Sequence, residues 1–333
     1  MKPTWDDVDA RARGLGTHLL GRSRLEPLAQ AADLPALAAA LERDGFDTAG
    51  AGDSPAALDL AVRRSAAARM RTLARWCGRR AETLAVVFED EDRRSLRAIL
   101  RGALQGAAPQ ARLAGCIPTP SLSERLLEEL AGAPAPSAVA ALLVAWENPY
   151  GSALLEEASQ QHPDPFRLES SLNRTFARRS LAGAGKAGRA LREYVQEVID
   201  LENAWSALLL AAQGGDGSPG ECFLSGGRRL DRKRFETIAA GKSPAAALLC
   251  AAFVRTAFAE AFRSAGLSTL ENAILTAQIR EQARAMLRDP VGPAPILLYT
   301  LRLRAETVDL RRIIWGIALG APATGLALGL VTA

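Results

Sequence analysis

Few residues in this chain have the type and spacing that chemistry requires. His18 and His162 are its two histidines, and neither has a cysteine or carboxylate at metal-ligand spacing. The four cysteines, Cys77, Cys116, Cys222 and Cys250, lie far apart with no CxxC, so neither a zinc site nor a disulfide framework is implied. Two stretches imitate a phosphate-binding loop and fail. In "SLAGAGKA" Ser180 stands where the first glycine belongs and Ala187 where a magnesium-binding hydroxyl belongs; in "ETIAAGKS" Glu236 replaces the first glycine. GxSxG and HExxH are absent. The remaining candidates are three acids that recur in one pattern, Asp92, Asp200 and Glu306. They could form a general acid and base pair only if a pseudo-threefold axis brought them together, and capping or packing is the simpler role for an acid repeated at one helical position. No catalytic, metal-binding or cofactor-binding residue is therefore expected, and no cofactor.

The elements that carry those acids are more informative. The chain reads "DRRSLRAILRGALQG" from Asp92, "DLENAWSALLLAAQG" from Asp200 and "ETVDLRRIIWGIALG" from Glu306. Each acid is followed three residues on by Ser95, Asn203 or Asp309, and fourteen residues on by Gly106, Gly214 or Gly320; the copies start 108 and 106 residues apart. Leu96, Ile99 and Leu100, like Leu310, Ile313 and Ile314, form an i, i+3, i+4 stripe, and the glycine sits where a helix C-cap belongs. A second pattern repeats between the copies: a turn, then a leucine (Leu25, Leu122, Leu230) opening an apolar-periodic run. Internal repetition at this period divides the chain into three helical modules, 1–110, 111–217 and 218–333, each of a size typical of a compact unit.

An all-α class follows from composition and periodicity. Ala, Leu, Arg and Glu dominate, and no period-2 run survives; "LAVVF" at Leu84 to Phe88 sits inside a helical pattern. Helices are expected over 5–20, 34–44, 56–77, 79–105, 122–131, 136–146, 150–160, 165–181, 186–213, 231–239, 244–264, 268–288 and 294–319. Ser54-Pro55 and Ser243-Pro244 place a capping hydroxyl before a proline, and "GGDGSPG" at 214–220 is the clearest loop.

At 333 residues and 48% apolar, the chain can bury a large core without staples. Its net charge of +4 is modest. Basic residues cluster at Arg63, Arg64, Arg69, Arg71, Arg75, Arg79 and Arg80, and again at Arg174, Arg178, Arg179, Lys186, Arg189 and Arg192. A nucleic-acid groove would interleave stacking aromatics, and only Trp76 is at hand in the first cluster, so no nucleic-acid partner is expected. A solvated helix face, an acidic protein partner or anionic headgroups remain. The N-terminus is charged from the start and reads as no signal, which with the cysteine usage suits a reducing cytoplasm. Ile313 to Ala333 carries no charge over 21 residues, enough to cross a bilayer. Pro322 in mid-stretch, four glycines and the missing anchor residues favour a buried terminal helix pair instead.

The repeated helix resembles the "D-x-x-N-L-(R/K)-x-(I/L)-L-R-x-K-x-x-G" segments of the V-type and A-type ATPase central-stalk socket, the d subunit of vacuolar enzymes and the C subunit of archaeal and bacterial ones. "LESSLNRTFARRSL" is similar to that family's "E-x-x-L-(D/N)-x-x-(Y/F)" helix through Glu169, Leu172, Asn173 and Phe176. "FLSGGRRLD" from Phe223 resembles its Gly-rich turn, and the segment from Pro293 its final long helix. Departures are Ser95 and Asp309 for the usual Asn, Ala204-Trp205 for Leu-Arg, Arg304-Ala305 for Lys-Glu, and an apolar C-terminus. The resemblance implies a funnel of three pseudo-symmetric helical lobes, peripheral on the cytoplasmic face of the membrane and seated on the proteolipid ring, with the central shaft in its mouth. It implies a non-catalytic, mechanical role with no small-molecule substrate. Arg97, Trp205 and Arg311, polar or aromatic beside the apolar stripe, are candidates for partner contact, since Arg and Trp often anchor interfaces. The rivals are a general helical-repeat adaptor and an enzyme with a site at the pseudo-axis.

Overall fold

The computed structural model describes residues 5–213, 219–241 and 244–332, with the side chains of residues 79, 81–84, 186 and 187 outside that description. The described residues are helical with no strand. In order they form α1 (Asp6–Gly16), α2 (Arg22–Leu28), α3 (Leu34–Arg43), α4 (Pro55–Cys77), α5 (Ala81–Leu104), α6 (Pro109–Arg112), α7 (Glu124–Gly132), α8 (Pro136–Ala145) and α9 (Gly151–Ala158). After these come α10 (Pro165–Ala187), α11 (Arg189–Ala212), α12 (Arg232–Ala239), α13 (Ala245–Ala252), α14 (Ala257–Ser264), α15 (Leu267–Arg288), α16 (Ala294–Ala318) and α17 (Ala323–Leu328). The all-α expectation is borne out.

Local chemistry sets the ends. Ser54 accepts the Ala57 amide at the start of α4, and Asp33, Asp164 and Asp231 cap α3, α10 and α12 in the same way. Ser243 and Gly214 lie outside the described residues, as does most of the 214–220 loop. Gly106 takes φ +65° after α5, its amide bonding Ala103 O while the Ala107 amide bonds Gly102 O; Gly320 repeats this after α16 at φ +71°, with Ile317 O and Gly316 O. Both are Schellman stops, which only glycine enters without steric cost.

One expected helix divides. The run 244–264 is two helices, α13 and α14, parted at Phe253–Thr256, where Arg255 takes φ 64°. The break turns the chain so that the Phe253 ring meets Phe258 edge-on at 5.8 Å and Phe262 at 5.0 Å, all buried. Aromatic packing outweighs the helical propensity of the sequence between them.

The described residues form two compact units. One comprises the chain up to Arg79, Gly115–Glu124 and the chain from Gln278 onward; the other comprises Arg80–Ala114 and Arg125–Ala277. The core of the first is built from Leu25, Leu37, Leu41, Phe46 and Leu58 against Leu310, Ile313 and Ile314 of α16. That of the second joins Leu201, Ala204 and Ala207 of α11 to Leu230, Phe235, Ile238, Leu249 and the three phenylalanines.

The uncharged C-terminal stretch belongs to the first core. α16 stops at Gly320, Pro322 precedes α17, and Leu326 and Leu330 are buried with Ile313 and Ile314. Gly316 leaves room for the Leu326 side chain to lie directly on α16. No described helix is long and apolar enough to cross a membrane.

In the second unit, α8 and α9 pack closely because Gly151 has no side chain. A Cβ there would stand 2.5 Å from Val144 N and 2.7 Å from Leu143 C, which are backbone atoms and cannot rotate away. Gly151→Ala is expected to destabilise the chain by about 1–3 kcal/mol, the usual range for overpacking, read as a lower urea midpoint. A cost within error would show that α9 can slide off α8.

Candidate functional site

The recurring acids and their +3 partners are backbone holders. In α11 the buried Asp200 carboxylate accepts the amides of Arg228 at 2.9 Å, Arg229 at 3.0 Å and Leu230 at 3.1 Å, gathering the turn that precedes α12. Gly227 makes this possible, since a Cβ at that position would collide with Asp200 Oδ1. Burial pushes the Asp200 carboxyl above its ordinary value, opposed by these three amides. Asn203, fully buried, mimics a peptide: its Nδ2 donates to Leu224 O at 2.9 Å and its Oδ1 accepts the Leu224 amide at 2.8 Å.

The third copy does the same work with different residues. Asp309 of α16, fully buried, accepts the Val331 and Thr332 amides at 2.7 and 2.8 Å, pinning the C-terminal segment. Position +3 thus holds backbone 21 residues downstream in one copy and 22 in the other. Glu306 accepts the Leu20 amide at 2.7 Å and pairs with Arg69 at 2.5 Å. Burial raises the Glu306 carboxyl, against the pull of Arg69 and the Leu20 amide. In the first copy Asp92 and Ser95 are buried in α5.

The second unit also contains a buried ionic cluster. α5 presents Arg93, Arg97 and Arg101 on one face at i, i+4 and i+8 spacing, and α10 presents Glu169, Leu172, Asn173 and Phe176 at helical spacing toward it. Arg93 is 0% exposed. Its guanidinium donates to Asp90 at 2.6 Å, to Asn173 Oδ1 at 2.8 Å and to Glu202 of α11 at 2.8 Å, and lies 4.9 Å from the Phe176 ring centre. Arg97 donates to the same Asn173 oxygen at 2.8 Å and to Glu202 at 2.5 Å. Arg101 grips Glu169 with two bonds, 2.5 and 2.8 Å. Three helices are thereby tied through charge-assisted contacts, of which that between Arg101 and Glu169 is bidentate.

Burial alone would raise the Glu202 carboxyl, but Arg93 and Arg97 outweigh it and hold it at about 2. A depressed carboxylate contributes stability above its unfolded value, and that contribution is lost as pH falls through the folded one. Glu202→Gln is accordingly expected to cost on the order of 3 kcal/mol near pH 6, at about 1.4 kcal/mol for each tenfold difference in proton affinity. The gap to the wild type should close as pH falls from about 4.5 toward 2. Urea midpoints of both proteins across that range check it; a gap independent of pH would mean that Glu202 is not held ionised by the arginines.

The cluster holds no nucleophile beside a base, and among the described residues no group of three or more His, Cys, Asp or Glu could hold a metal ion. His18 and His162 are exposed. The phosphate-loop imitation at 180–187 lies wholly within α10, so its amides are spent on helix bonds. What the arrangement offers is stiffness.

A family model described as ATP synthase (C/AC39) subunit matches residues 8–325. The chain belongs to that family. Among its C/AC39 relatives is the V-type ATP synthase C subunit of Thermus thermophilus, 28% identical over 274 residues that make up 82% of this chain and 81% of that protein. Another is the A-type ATP synthase C subunit of Haloquadratum walsbyi, 23% identical over 269 residues, 78% and 77% of the two chains. The resemblance carried by the repeated helix and the Glu169–Phe176 stripe is borne out.

In this C/AC39 chain the three residues read as partner contacts sit differently. Arg97 is spent on Glu202 and Asn173, and Arg311 of α16 on Asp59 of α4 at 2.7 Å. Trp205 packs half-buried against the second core, and its Nε1 has no acceptor. Sequence reasoning missed Arg93, Arg101 and Glu202. The row of arginines one turn apart was a visible signal, but the carboxylates that meet it come from other helices.

Proposed function

We propose that this chain is a non-catalytic rotor subunit of a V/A-type rotary ATPase, the socket through which the central shaft is coupled to the membrane proteolipid ring. The observation that carries the proposal is the family match over residues 8–325, together with relatives named as the C subunits of V-type and A-type ATP synthases. A coupler transmits torque, so it needs helices that do not shear past one another and no reacting group. The Arg93–Glu202–Glu169 cluster and the backbone-holding acids support such a role, because close-packed, fully bonded interiors yield little under load.

The protein sits peripherally on the cytoplasmic face of the membrane as part of the complex, and its three modules, 1–110, 111–217 and 218–333, are lobes of one funnel. The parallel roles of Asn203 and Asp309 support the module division. Of the three repeat residues assigned to partner contact, Trp205 carries that role best, since its half-buried ring keeps part of its surface open, while Arg97 and Arg311 are engaged by Glu202 and Asp59. Arg97 and Arg311 brace their own units. A helical-repeat adaptor outside any ATPase is not favoured, because its repeats would run at 30–45 residues.

The test is to tag the chain in its host, solubilise membranes in mild detergent and identify the proteins that co-purify. A shaft subunit and a proteolipid are the expected companions. Recovery as a free protein at every detergent strength would overturn the proposal.

A further inference from the structure

The basic run on α4 is only partly absorbed by internal contacts. Along one face of this helix Arg64 holds Glu124 at 2.9 Å, so this row already grips a carboxylate of another segment. Two and three turns further on, Arg71 and Arg75 are exposed, and among the described residues neither has a carboxylate partner; Arg75 reaches only Thr72 Oγ1, at 3.2 Å. Between and beside them lies a groove of about 560 Å³ lined by Ala68, Arg71, Thr72, Ala74, Arg75 and Pro120. Its floor is made by short side chains, which let another backbone approach, and one wall is Pro120, a rigid residue that offers no amide to bind.

We propose that this groove docks an acidic helical segment of a protein partner, with Arg71 and Arg75 each taking a carboxylate from residues one turn apart. Helix positions four apart lie roughly 5–6 Å from each other, so a partner helix bearing Asp or Glu at i and i+4 matches the two guanidiniums in register. Arginine is suited to this because its planar fork takes a carboxylate with two parallel bonds. A membrane surface fits less well: headgroup recognition uses clusters of about four to eight cations on an open face, and the groove has two. A single phosphate would leave most of the volume empty. An exposed ion pair contributes little by itself, so the contact belongs to a larger interface and is tested within the assembled complex. The inference rests on the rotor-subunit reading for the setting in which its partner is met.

The experiment places a photo-crosslinking amino acid at Thr72 in the full-length chain, irradiates native membranes and identifies the adduct by mass spectrometry. A protein segment carrying Asp or Glu at i, i+4 spacing is expected. Its yield should fall at least tenfold in Arg71→Glu/Arg75→Glu and return when the two captured acids are changed to arginine. Arg71→Gln/Arg75→Gln, which removes charge without reversing it, guards against a folding artefact, and both pairs should keep the wild-type melting curve because the two side chains are exposed. Lipid adducts alone, an adduct on a segment without paired acids, a yield insensitive to the charge changes, or no adduct would each overturn the inference. If the chain co-purifies with ATPase subunits and the crosslink fails, the docking site falls and the rotor reading stands. If it co-purifies with none of them yet captures a paired-acid segment, the reverse holds.

Discussion

Arg93→Ala lowers the stability of the full chain by about 3–5 kcal/mol, the cost of removing one member of a buried ionic cluster and leaving its partners with fewer bonds. Arg93 is the only fully buried arginine side chain among the described residues, and three groups turn inward to meet it: Asp90, Asn173 and Glu202. In the variant, Asp90 still has Arg94 at 3.1 Å and Glu202 still has Arg97, but the cavity left beside Phe176 is apolar on one side and lined by two carboxylates on the other. Arg93→Lys should recover only part of the loss, because one ammonium cannot reach Asp90, Asn173 and Glu202 in the geometry that the planar fork serves. Urea denaturation followed by circular dichroism measures both variants. A loss below about 1 kcal/mol for Arg93→Ala would show that Arg97 and Arg94 carry the cluster without it, since exposed ion pairs are worth that little.

The second large effect is at Asp200. Asp200→Ala strips the acceptor from the amides of Arg228, Arg229 and Leu230 at once, and the Leu230 amide is buried where water does not replace it. An unsatisfied buried donor costs about 1–3 kcal/mol, and charged acceptors lie at the upper end, so a loss of about 3 kcal/mol is expected. Hydrogen exchange should locate it: amides 228–230 lose protection, while Leu224, held independently by Asn203, keeps its own. Asp200→Asn should fall between, since its oxygen can still accept but its amide nitrogen faces donors. Unchanged exchange at 228–230 would mean that the turn is held by Leu230 and Phe235 packing alone.

Much of this architecture was legible from residue order. The three copies of the acid-to-glycine pattern located α5, α11 and α16, their apolar stripes and two of their stops, because helical periodicity and the left-handed preference of glycine act within a single turn or two of chain. The family motif through Glu169, Leu172, Asn173 and Phe176 pointed to a single face of α10, and all four residues are engaged there. Where the structure adds to the reading from residues, a side-chain contact that periodicity does not disclose decided the matter. The helix expected over 244–264 parts at Arg255 because Phe253 finds Phe258 and Phe262. The internal partners of Arg97 and Arg311 were not legible either, because nothing in their neighbourhood of sequence discloses Glu202, 105 residues away, or Asp59, 252 residues away.

By itself, then, the sequence determined most of the helices, several of their caps, the period at which the pattern recurs and the family to which the chain belongs. All of these are properties of local spacing or of collinear motifs. Only the tertiary structure decided what the polar members of those helices do. Burial makes an ionised or amide side chain seek a partner at hydrogen-bond distance, and that partner comes from whichever segment the fold brings near. Asp200, Asn203, Asp309 and Glu306 share one repeated position or the next turn along, yet each takes hold of a different stretch of backbone. The uncharged tail is the plainest instance: its composition admitted a bilayer, and the fold of α17 onto α16 assigned it to the protein core.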